Sequence, residues 1–154
     1  MLDSGYTVAR YIEDLRRIAA TESDPGKVAS QVKPFAKQLA ASATEWLTDE
    51  HCKVNESQGY GVHLLHEEAN HDLAVFVLTW MPNRGTLPHN HMTWAVVAGI
   101  KGEERESEWR RVDDGAKCGF AKLEKVSEHT LRAGEVSVCR PTDIHSVWNT
   151  GTEL

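Results

Sequence analysis

At 154 residues the chain is long enough for one domain whose core needs no covalent staples, and its net charge of −6 leaves no basic footprint for nucleic acid or an anionic membrane. No apolar run reaches membrane-spanning length and Met1-Leu-Asp-Ser-Gly5 does not read as a secretory signal, so a cytoplasmic protein is expected. Cys52, Cys118 and Cys139 are odd in number and lack CxxC spacing, which argues against a disulfide framework and for reduced thiols.

From Tyr6 to about Glu50 the pattern is helical. Val8, Tyr11, Ile12, Leu15 and Ile18 recur at three and four residues among Arg10, Glu13, Asp14, Arg16 and Arg17, the signature of an amphipathic helix that stops near Ala20. Ser23 or Asp24 is placed to cap a second helix, with Pro25 in its first turn. That helix is expected over about Gly26 to Lys33, broken by Pro34, with a third over Phe35 to Leu47. No chemistry is legible in these helices, which are expected to cover one face of a sheet.

Near Cys52 the pattern changes to strands. Gly59 to His66 and Leu73 to Met81 form a hairpin around the polar turn Glu67 to Asp72. Leu73 to Trp80 is so apolar that both of its faces are expected to be buried. His63, His66 and His71 cluster across this hairpin. They read as solvated turn residues rather than as a separate zinc site.

The segment Gly85-Thr-Leu-Pro-His89-Asn-His91-Met-Thr-Trp-Ala-Val-Val-Ala-Gly-Ile-Lys-Gly102 carries the strongest signal. In an extended strand His89 and His91 project from one face, side by side, as a two-point claw for a metal ion. By the same parity Thr93, Ala95, Val97 and Gly99 share that face, and Trp94 on the other packs between strands and helices. Glu103 to Val112 reads as a charged strand at an exposed edge. Two short strands follow, over about Phe120 to Val126 and His129 to Leu131. The last segment, Gly134 to Asn149, has the form G-x6-P-x3-H-x3-N and offers His145 as the third ligand. Asn149 shares its parity and is a candidate either to support a ligand or to cap the strand end. Cys139 is expected to be a buried, inert thiol.

HxH followed some fifty residues later by G-x6-P-x3-H-x3-N resembles the two motifs of a cupin, over roughly Gly85 to Asn149. Most cupins add a carboxylate four or five residues after the second histidine, where this chain has Ala95 and Val96. With its three histidines and its preceding helices the chain is similar to the thiol dioxygenases, meaning cysteine dioxygenase and 3-mercaptopropionate dioxygenase. That resemblance implies a mostly β fold: a jelly-roll (double-stranded β-helix) barrel over 51–154 behind an N-terminal layer of two to three helices over 1–50. It also implies Fe(II) on His89, His91 and His145, with a small thiol and O2 as reactants and a sulfinic acid as product.

Other family positions do not transfer. Ala95 and Val96 stand where a crosslinking cysteine would, and no arginine stands near Gly61 to His63, where the family binds a substrate carboxylate. His63 therefore carries a substrate-facing reading, and Arg84 and Arg140 are alternative carboxylate partners whose first reading is as surface or salt-bridging residues. The family's Ser-His-Tyr relay would lie beyond Leu154, which leaves either missing last strands or a diverged branch. No side chain is assigned as a proton-transfer catalyst. Two rivals stay open: a metal-binding cupin without oxygenase activity, as sensor or structural module, and a Zn, Mn or Ni cupin isomerase or hydrolase. A homodimer is also left open.

Overall fold

A computed structural model describes residues 5–154, and there the N-terminal periodicity becomes a pair of packed helices. Helix α1 (Val8–Thr21) begins where the Thr7 side chain accepts the Arg10 N–H, and it buries Tyr11, Leu15 and Ile18. Helix α2 (Pro25–Ala41) begins at Asp24, whose carboxylate accepts the Lys27 N–H at 2.8 Å, with Pro25 in the first turn. The first four residues of the expected 1–50 layer, and with them most of the stretch read as lacking a signal, lie outside the described residues.

Pro34 does not interrupt the helix, contrary to expectation. It removes the donor that the Ser30 carbonyl would use, but Ser30 and Pro34 both lie on the exposed face, where water can serve that carbonyl. On the opposite face Val28, Ala29, Val32, Ala36, Leu39 and Ala40 are buried, and that packing holds the helix through the proline. Most of the expected third helix is thus the second half of α2. Only α3 (Ala43–Trp46) and a 3-10 turn at Asp49–Cys52 follow it.

The remainder is mostly β. Strand β1 (Tyr60–Glu67) pairs antiparallel with β2 (Ala74–Trp80), β3 (Ala95–Ala98) with β6 (Val136–Cys139), and β4 (Glu103–Arg111) lies between β5 (Leu123–Arg132) and β7 (Ile144–Asn149). Among the described residues these are three antiparallel sheets, and no continuous ladder closes them into a barrel. The helical core of Leu15, Ile18, Val32 and Leu39 continues into the sheets through Leu73, Trp94, Val96, Ala98 and Val136, so Trp94 packs where its parity put it.

Three strand expectations need correcting. β2 is not buried on both faces: Phe76 is 50 % and Leu78 43 % exposed, each opposite an exposed partner, Leu64 and Val62. The hairpin is a two-stranded sheet covered on one side only, where Leu73 and Val77 are buried. β4 is not an edge strand but the centre of its sheet, and it turns Glu106 and Ser107 inward. The two short strands expected after it are one, β5, whose register against β4 shifts at Glu108 and Trp109; its solvent-facing Ser127 and Glu128 read as a break.

Candidate metal centre

The histidine segment is stitched to β7 by single bridges rather than by a ladder. Gly85 pairs with Trp148 and His89 with His145, and the His89 and His145 backbones exchange two N–H···O bonds of 2.9 Å. Gly85 is required by that approach, since a Cβ there would stand 2.7 Å from the Trp148 Cα. The strand expected to run unbroken from His89 through Ala98 does not. Met92 adopts a left-handed φ of 58°, at a cost of about 1 kcal/mol for a non-glycine residue, and regular pairing resumes only at Ala95. The expected parity therefore holds for His89 with His91, and again for Trp94 with Val96 and Ala98, but not across Met92.

This backbone brings the three imidazoles together. Ring centroids lie 5.1 Å apart for His89 and His91, 4.7 Å for His89 and His145, and 5.0 Å for His91 and His145. One nitrogen from each falls within 4.8 Å of the others. Two of the three ring orientations, those of His89 and His145, are fixed from behind. His89 Nδ1 lies 2.8 Å from the Leu87 carbonyl, to which only a protonated Nδ1 can donate, so its lone pair is on Nε2. His145 Nδ1 lies 2.7 Å from Glu106 Oε1, which aims its Nε2 at the Nε2 of His91, 2.9 Å away. Metal–nitrogen bonds of 2.0–2.1 Å set at right angles place two nitrogens roughly 2.9 Å apart, so the His91–His145 spacing fits two neighbouring positions on one divalent cation of octahedral habit.

Glu106 is the functional residue that sequence reasoning missed. It is 3 % exposed, and burial alone would raise its carboxyl. The His145 hydrogen bond and charge instead hold it below the usual range. Its other oxygen has no hydrogen bond, although His129 Nε2 stands 3.1 Å away, so Glu106 bridges a buried histidine and a half-exposed one. The only sequence signal was the period-two run Glu104, Glu106, Glu108, which a solvated strand would show equally well.

His145 responds to the same contact. Burial works against its protonation, but Cys139 and Glu106 outweigh burial and push it up to about 10, while burial and the His145 charge push His91 down. Near neutral pH a proton is thus shared between His145 and His91, and a metal must displace it. Metal binding is expected to release about one proton per ion at pH 7.5, with affinity rising as pH approaches 10. Calorimetry in buffers of different ionisation heat measures this directly; a heat independent of buffer would contradict it.

Glu106, Cys139 and His145 form a second cluster of possible donors. All three are buried, Cys139 Sγ lies 3.7 Å from His145 Nδ1, and Nδ1 is already engaged by Glu106. The three-histidine group has the better access. It opens onto a cavity of about 310 Å³, walled by apolar side chains including Val77, Val96, Leu131 and Val147.

The other sequence candidates lie elsewhere. His63 Nε2 meets the Lys53 carbonyl at 2.8 Å, Arg84 folds back toward Asn83, and Arg140 pairs with Asp143 at 3.2 Å beside the start of α2. None of the three lines the cavity. His66 and His71 pair with Glu68 and Glu67 and do not form a zinc cluster with His63. Asn149 resolves as the strand-end cap: its amide donates to the Trp80 and Glu153 carbonyls at 2.9 and 2.8 Å, and its oxygen accepts the Gly151 N–H. Asn149→Ala is expected to cost about 1–3 kcal/mol of stability in chemical denaturation while leaving metal affinity unchanged.

Fold and site together define a mostly β protein with an N-terminal helical layer and a candidate three-histidine metal centre. No family profile matches the chain. Among solved structures it is similar to a recombinant oxalate oxidase in complex with glycolate, at 20 % identity and a TM-score of 0.44, over 71 % of this chain and 58 % of that one. It is also similar to Peruvianin-I, a cysteine peptidase from Thevetia peruviana latex, at 14 % identity and a TM-score of 0.39, over 71 % of this chain and 70 % of that one. The chain thus spans little more than half the length of the oxalate oxidase. No helix among the described residues is long and apolar enough to cross a membrane.

Proposed function

We propose that this chain is a cupin-type, Fe(II)-dependent thiol dioxygenase that converts a small thiol and O2 to the sulfinic acid, R–SH + O2 → R–SO2H. The observation that carries the reading is the meeting of His89, His91 and His145 at the wall of a small cavity, a donor set with no carboxylate in it. Three neutral imidazoles leave the charge of a divalent cation uncompensated, which suits an anionic sulfur donor. When bound there, iron supplies the Lewis acidity that favours thiolate over thiol and the redox capacity for dioxygen.

The chain's own residues do the rest. His89 and His145 are held in the ligating tautomer by the Leu87 carbonyl and by Glu106. Val77, Val96, Leu131 and Val147 keep bulk water from the reacting sulfur. Loss of the thiol proton requires an acceptor, and the imidazoles themselves are occupied as ligands. Solvent at the cavity mouth takes that role.

Oxygen uptake by protein loaded anaerobically with Fe(II) and given cysteine or 3-mercaptopropionate tests the activity. Thiol-dependent uptake with one O2 consumed per sulfinate formed is the expected result, and its absence with every small thiol rejects the enzyme. A metal-binding module without oxygenase activity is the second reading, favoured because no arginine among the described residues lines the cavity to hold a substrate carboxylate. A Zn, Mn or Ni isomerase or hydrolase would be separated by elemental analysis of protein purified without added metal.

A further inference from the structure

We propose that Glu104 is the specificity-determining residue of the cavity and that the ligand it selects carries a protonated amine. This rests on the reading of the three-histidine cavity as the ligand site and goes beyond it by naming the group that enters beside the metal.

Glu104 lies on β4 two residues before Glu106, on the strand face that also carries Glu106, and lines the cavity with the three histidines. The other charged side chains that line it have partners at or near the surface. Glu103 faces Arg132 at 3.6 Å, and Lys101 faces Glu153 at 3.9 Å with both side chains well exposed. Among the described residues Glu104 has no such partner. Burial, and after it the charge of Glu106, push its carboxyl up to about 7 against the smaller opposing charge of His145, and no hydrogen bond acts on it. A carboxyl held this way gains from a cation that enters the cavity, because the ion pair forms where water is scarce. A ligand carboxylate would instead meet a like charge, and Arg84 and Arg140 lie outside the cavity.

The remaining wall sets the rest of the ligand. Much of the remaining lining is apolar, with Val77, Val96, Val97, Leu131 and Val147 in it, so a short apolar linker suits it, and about 310 Å³ limits the ligand to a small molecule. Glu104 is not a fourth metal donor, because the three imidazole nitrogens group without any carboxylate atom within reach of all of them.

The test needs no turnover. The full chain, metal-free and Fe(II)-loaded under anaerobic conditions, is titrated with n-butylamine, 1-butanol and butyrate, and binding is followed by protein-observed NMR. Butylamine is expected to bind about tenfold or more tightly than butanol, with butyrate weakest, and Glu104→Gln is expected to bring the amine to the level of the alcohol. Metal affinity should be the same in Glu104→Gln as in the parent chain. Butyrate binding as tightly as butylamine in the parent chain would overturn the proposal whether or not the variant folds. So would an amine preference that survives Glu104→Gln, or a loss of metal affinity in that variant, which would make Glu104 a ligand. Amine selectivity without thiol-dependent oxygen uptake would leave this inference standing while the oxygenase reading failed.

Discussion

Replacing His145 by alanine is expected to abolish tight metal binding and to destabilise the metal-free protein by about 3–5 kcal/mol. Both effects have one origin. His145 and Glu106 are 5 % and 4 % exposed at their side chains and 2.7 Å apart, so removing the imidazole strands a carboxylate that burial already disfavours. The folded-state value of His145 lies above its ordinary 6.5, so its contribution to stability is complete below that pH and is lost as the pH climbs toward about 10. Glu106 is held below its ordinary 4.5, so its contribution is present above that pH and is lost on acidification. The pair therefore supports the fold most strongly between those limits. Urea denaturation of the parent chain and His145→Ala across this range should show the gap between them widest near neutrality and narrowing at both ends. A gap of equal size at all pH values would mean that packing, not the ion pair, carries the loss.

Glu106→Gln is expected to lower metal affinity about 10–100-fold without removing any ligand. The amide retains the shape of the carboxyl and can still accept the Nδ1 hydrogen of His145, but it contributes no negative charge to make the imidazole a stronger donor. Because it is neutral, the variant avoids most of the desolvation cost seen for His145→Ala, and its stability should fall by less. The same change lowers the affinity of His145 for its competing proton, so the pH dependence of metal binding should flatten along with the loss of strength. Competition titrations against a chromophoric chelator at several pH values read both quantities. Unchanged affinity would show that Glu106 is a structural partner of His129 and His145 with no influence on the metal.

How much of this was legible in the chain depends on how local each determinant is. The claw of His89 and His91 is a two-residue spacing that any extended backbone converts into a shared face, and the Gly/Pro frame around His145 marks where the distant strand begins. Both are local, and the imidazoles do meet. Asp24 and Pro25 likewise announced the start of α2 through chemistry confined to one turn. Glu106 was invisible because Glu103-Glu-Arg-Glu-Ser-Glu reads as a solvated edge. What buries it is the pairing of β4 with strands on both sides, and that pairing is set by residues twenty and forty positions away. Pro34 misled in the opposite direction: the local rule for breaking a helix was overruled by the buried face running from Val28 to Ala40. Phe76 and Leu78 show the same limit, since apolar composition cannot state whether a second layer lies over a strand.

The coordination sphere itself decides between the two donor groups that share His145. X-ray absorption on the protein loaded with one equivalent of Zn(II) or Fe(II) should show a light-atom shell at about 2.0–2.2 Å with the outer-shell scattering of three imidazoles and no sulfur. A sulfur scatterer near 2.3 Å would place the ion on Cys139 and Glu106 instead, and His89 and His91 would no longer hold a metal.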